Sequence, residues 1–140
     1  MAVNGNAVTQ ITGSASDIKA IIDAEHDSND GINLDSNFTA TVTGSTAAAS
    51  DLTAVSLTTS GTIDATGIST FTGTAAEVVA LLSDNEITHS ATFTVTLTDN
   101  STATAADLKT INTATTGIIT ATGVTAITGS ISNINDELAA

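Results

Sequence analysis

The densest run of oxygen-bearing side chains in this 140-residue sequence is Asp23 to Gly31, which reads DAEHDSNDG. Calcium takes about six to eight oxygen ligands, often from a loop with glycine at its sharp turn. Asp27, Asn29 and Asp30, just ahead of Gly31, are the residues that fit this chemistry. Their spacing departs from that of an EF-hand loop, and no glutamate stands at the closing position. The matching stretch Ser83, Asp84, Asn85 and Glu86 is shorter, so the ligand set does not repeat. A solvated acidic loop is favoured over a calcium site, and calcium is the one cofactor the sequence leaves open.

Other chemistry is sparse. His26 and His89 have no cysteine and no second histidine at metal-ligand spacing. No serine, histidine and aspartate set has supporting context, and no glycine-rich phosphate loop is present. Three of the other acids recur at one place in a repeated pattern, three residues after a hydroxyl: Ser14 to Asp17, Thr74 to Glu77, Thr104 to Asp107. That spacing is a capping box, in which the hydroxyl accepts from an exposed helix N–H and the acid reaches back. These acids are expected to start helices, and the chain is not expected to be an enzyme. With three Phe and no Trp or Tyr, it also lacks the exposed rings on which sugars stack.

The elements that carry these acids repeat. An apolar-Thr step appears at Ile11-Thr12, Val42-Thr43, Phe71-Thr72, Leu97-Thr98 and Ile127-Thr128, at intervals of 26 to 31 residues. Gly or Asp follows each step, and an acidic-apolar or Asn-apolar pair comes shortly after. Such periods mark stacked repeat units. Each unit reads as a short strand (Val3-Asn4, Ile32-Asn33, Ile63-Asp64, Ile87-Thr88, Ile119-Thr120), a bend, a second strand with period-two alternation, and a short helix. The expected fold is a mixed α/β repeat: a parallel β-solenoid of about five coils with short α-helices. The coils fall at about 1–30, 31–60, 61–85, 86–116 and 117–140. Alignment of the apolar-Thr steps predicts that Thr12, Thr43, Thr72, Thr98 and Thr128 stack as one ladder beside Ile11, Val42, Phe71, Leu97 and Ile127.

The units come in two kinds. The second and fourth carry a longer Phe-Thr-x-Thr-x-Thr strand from Phe38 and Phe93, so the full period is a pair of units, roughly 55 to 60 residues. Stacked strands lie ~4.8 Å apart, whereas packed helices need ~8–10 Å. One helix per unit therefore has to bend the stack or splay from side to side.

Fifteen acids against two bases, Lys19 and Lys109, give a net charge of −13. That charge repels phosphate, so neither nucleic-acid binding nor polybasic membrane attachment is expected. There is no Cys, hence no disulfide. No apolar run is long enough to span a bilayer, so membrane insertion is not expected, and no signal peptide is recognisable. The Thr, Ser and Ala content invites comparison with disordered low-complexity chains. The apolar positions recur in register, which favours a folded repeat.

Two stretches carry a resemblance: Thr59 to Val78 (TSGTIDATGISTFTGTAAEV) and Val95 to Leu108 (VTLTDNSTATAADL) running on to Thr115-Thr116-Gly117. They resemble Thr/Ala-rich tandem repeats of giant cell-surface proteins of marine cyanobacteria and other marine bacteria. The likeness covers most of residues 32–138. It implies an extracellular or cell-surface structural segment, part of a fibre or giant surface protein, with no catalytic residues to carry over. Strand edges without a polar cap point to end-to-end association, with neighbouring repeats or other copies in a filament. The alternative is an ice-binding or calcium-dependent adhesive solenoid, suggested by Thr39, Thr41 and Thr43 on one strand face and Thr94, Thr96 and Thr98 on another.

Overall fold

In the computed structural model, residues 3–5, 8–25 and 32–138 are described. Within them the chain makes five passes, each a set of short strands followed by a helix. The first holds β1 (Val3–Gly5), β2 (Gln10–Gly13) and α1 (Ala15–Glu25). The second holds β3 (Ile32–Leu34), β4 (Thr39–Val42), β5 (Thr46–Ala48) and α2 (Ala49–Ser56). The third holds β6 (Ile63–Asp64), β7 (Thr70–Gly73) and α3 (Ala75–Leu82). The fourth holds β8 (Ile87–Thr88), β9 (Thr94–Leu97), β10 (Thr102–Thr104) and α4 (Ala105–Ala114). The fifth holds β11 (Ile119–Thr120), β12 (Ala126–Thr128) and α5 (Ile131–Leu138).

The fold is mixed α/β, and its described strand pairs are parallel. Four sheets form, in the orders β1-β3, β2-β4-β6-β8, β5-β7-β9-β11 and β10-β12. The central inward column of each four-stranded sheet is apolar. Ile11, Ala40, Ile63 and Ile87 stack in the second sheet, and Ala47, Phe71, Val95 and Ile119 in the third. The strands are short because period-two alternation gives each only one or two inward side chains before a bend.

The passes do not stack squarely. The first places strands in sheets one and two, the second in one to three, the third in two and three, the fourth in two to four, and the fifth in three and four. Every two passes, the strand set advances by one sheet. Two strand layers rise ~9.6 Å, close to the ~8–10 Å that one packed helix requires. A helix row climbing straight up one side would collide, so its place moves on. Each helix packs against the next, from α1 through to α5.

Helices α1 to α4 each bury one apolar face. Ile18, Ile22, Leu52, Val55, Val78, Leu81, Leu108 and Ile111 are buried, with Ile21 and Leu82 partly buried against the same core. Phe38, Phe71 and Phe93 supply its largest side chains.

The Thr ladder expected from the apolar-Thr steps does not form. Thr12 lies opposite Thr41, Thr72 lies between Ala48 and Thr96, and Thr128 lies opposite Thr104. Thr43 and Thr98 fall just past their strands, where their backbone N–H groups donate to Gly13 O (2.8 Å) and Gly73 O (2.9 Å). The apolar partners shift too: Gly13, not Ile11, faces Val42, and Gly73, not Phe71, faces Leu97. In the second and fourth passes an extra strand, β5 or β10, separates the motif from the helix. The pairing therefore slips by two residues, a slip that leaves every side chain on its original face.

Candidate functional site

Carboxylates are the commonest reactive groups, and the fold assigns most of the described ones to local structure. At α3, Glu77 N donates to Thr74 Oγ1 (3.2 Å) while Thr74 N donates to Glu77 Oε2 (2.7 Å), completing a capping box. At α4, Asp107 N donates to Thr104 Oγ1 at 3.1 Å. At α1, Asp17 N donates to Ser14 Oγ at 3.2 Å, and that hydroxyl donates to Asp17 Oδ2 at 2.7 Å. Ser130 caps α5 through Asn133 N at 3.3 Å. At α2 the N-cap is Ala48, without a side-chain bond, although Asp51 stands in its first turn.

Other acids bridge turns and passes. Asp99 Oδ2 accepts from Ala75 N at 2.8 Å, so the fourth pass caps the helix of the third. Glu86 Oε2 accepts from the buried Ser56 hydroxyl at 3.2 Å, tying the end of α2 to the turn before β8. Asp64 accepts from both the N–H (3.0 Å) and the hydroxyl (2.6 Å) of Thr66, and these bonds hold its pKa below the ordinary value. Lys19 donates to Asp23 at 2.6 Å, which raises the lysine pKa.

Of the calcium candidates, Asp27, Asn29 and Asp30 lie outside the described residues, as does His26. Asp23, at the start of that run, is the ion-pair partner of Lys19. Among the described residues no group of three or more His, Asp or Glu side chains converges as a metal site. His89 is half-buried, edge-on to Phe93 at 5.2 Å and to Phe71 at 6.3 Å, with Nδ1 2.9 Å from Ser90 O. Phe71 and Phe93 are themselves 5.2 Å apart. The histidine closes an aromatic cluster.

Two repeated features escaped the motif reading. In the first, the buried Thr59 hydroxyl donates to Phe38 O at 2.5 Å and accepts from Gly61 N at 2.9 Å. Thr115 does the same with Phe93 O and Gly117 N. A Cβ at Gly61 or Gly117 would overlap the same phenylalanine carbonyl, so glycine is required there by contact. The shared Thr-x-Gly following α2 and α4 was the available signal.

The second feature is the outer face of the third sheet. Thr46, Thr70 and Thr94 form one column, and Thr72, Thr96 and Thr120 another. Thr70 and Thr94 hydroxyls bond each other at 2.8 Å, and Thr94 also donates to Ser69 O at 3.2 Å. The signal for these columns was a 24-residue spacing, hidden by the unequal intervals between the apolar-Thr steps.

The surface otherwise offers an open groove of about 450 Å³ between α4 and α5, lined by Ala106, Lys109, Thr110, Thr113, Ala114 and Asn133. No described helix is long and apolar enough to cross a membrane. Set against known proteins, the chain matches no family model, no curated protein and no solved structure.

Proposed function

We propose that this chain is a structural repeat segment: a β-solenoid whose coils extend a cell-surface or extracellular fibre and present a regular face. The observation that carries this reading is the column Ala47, Phe71, Val95 and Ile119, four residues in register at intervals of 24. From the third pass on, successive inward positions within a pass lie eight residues apart, as in Ile63 to Phe71 and Val95 to Ala103, whereas Ala40 to Ala47 in the second is seven. Three eights complete a coil of three sides. A pass has three or four elements, so the second and fourth passes run one side beyond a full coil. Most of the described acids cap helices or tie turns, which leaves the repeat itself as the feature to interpret. The surface location rests on the resemblance.

Five coils at ~4.8 Å each rise only ~24 Å, so extension requires more coils. The test is therefore duplication. Residues 61–116 form one two-pass unit of 56 residues, and Thr115-Thr116-Gly117 repeats the junction Thr59-Ser60-Gly61. A chain carrying this unit twice should fold, and its scattering envelope should lengthen by ~10 Å at unchanged cross-section. Loss of folding, or growth in all directions, would refute the solenoid.

The Thr columns of the third sheet favour one second reading, an ice-binding face. Their spacing is regular, ~4.8 Å between strands and ~6.7 Å along them. Thermal hysteresis that disappears in Thr72→Lys and Thr96→Lys would establish it; none in the parent protein would dismiss it.

A further inference from the structure

Among the described residues, β1 and β2 of the first pass and β11 and β12 of the last each pair on one edge alone. The two edges match in spacing. Val3 and Ile11 stand eight residues apart in β1 and β2, and Ile119 and Ile127 stand at the same spacing in β11 and β12. They also match in sequence, since Ile11-Thr12-Gly13-Ser14 corresponds to Ile127-Thr128-Gly129-Ser130, and both serines cap the helix that follows. Ile127 is 42% exposed and Ile131 78%, whereas Ile11 is buried under β4.

We infer that the β11-β12 edge binds the β1-β2 edge of a second copy of this chain, in parallel, with Ile11 over Ile127 and Thr12 over Thr128. The inference rests on the solenoid reading above. It continues the stacking that already joins β10 to β12 and β9 to β11. Strand spacing lets both strands dock at once, which a single-strand contact would not require. The arriving α1 would be the third helix in succession on one side, where the chain itself places no more than two. The net charge of −13 on each copy adds repulsion. The junction is therefore reversible and strengthens as salt screens it.

Because the chain has no cysteine, disulfide trapping reads the register directly. Protein carrying Gln10→Cys is mixed with protein carrying Ala126→Cys at high salt and oxidised. A control mixture pairs Gln10→Cys with Thr88→Cys, an exposed position on β8. Mixed dimer should form several-fold more in the first mixture, and Ile127→Lys added to the Ala126→Cys chain should bring it down to the control. Equal cross-linking in both mixtures overturns the inference. If the duplicated chain lengthens and cross-linking is equal, only the inference falls. If the duplicated chain does not lengthen, the solenoid reading falls with it.

Discussion

The buried hydroxyl of Thr115 donates to the carbonyl of Phe93, 22 residues earlier in the chain. The same oxygen accepts from Gly117 N, so one side chain satisfies two backbone groups where the chain leaves α4 and begins the next pass. Thr115→Val keeps the shape and removes both bonds. Leaving a buried polar group without a partner costs about 1–3 kcal/mol. Urea titration should show a loss in that range, and an unchanged midpoint would show that the bridge is not needed.

Phe71 is fully buried, with its ring against Phe93. Phe71→Ala should cost about 3–5 kcal/mol, as expected for a large side chain removed from a core. Thr41→Ala, on the outer face of β4, should stay within about 0.5 kcal/mol. Equal melting midpoints for the two variants would contradict the core assignment.

Ala48 stands at the α2 N-cap, where α3 and α4 have Thr74 and Thr104. Its backbone is already extended, at φ −76° and ψ 131°, as an N-cap requires. Ala48→Thr should therefore gain about 0.5–1 kcal/mol, by capping α2 with Asp51 in position to reach back. A loss of stability in thermal melts would show that the outward column beside Thr72 has no room for it.

Asp64 has a pKa lowered by its two bonds from Thr66. A depressed carboxyl stabilises the fold above its unfolded value, and that contribution is lost as pH falls through the folded value. Asp64→Asn should thus lower the melting point slightly at neutral pH and converge with the parent well below pH 3.8, the ordinary value. Parallel curves down to low pH would rule out this source of acid sensitivity.

Calcium at millimolar concentration should raise the melting point only slightly, and magnesium by a similar amount, through screening of the acidic chain. A large, saturable rise specific to calcium, abolished by Asp27→Asn and Asp30→Asn, would instead establish a site at Asp27, Asn29 and Asp30.

The sequence by itself determined what depends on near neighbours. Capping by Ser14, Thr74 and Thr104 is a contact across three residues, so spacing alone revealed it. The inward positions of the strands followed from a period of two, which each element carries within itself. The tertiary structure decided which strands meet. Period-two alternation is unchanged by a slip of two residues, so the apolar-Thr steps could be aligned with Ile11 beside Val42 when the backbone pairs Ile11 with Ala40. The extra strands β5 and β10 and the advance of one sheet every two passes likewise lay beyond the local pattern. They follow from the mismatch between strand and helix thickness, which acts only once separate passes are stacked.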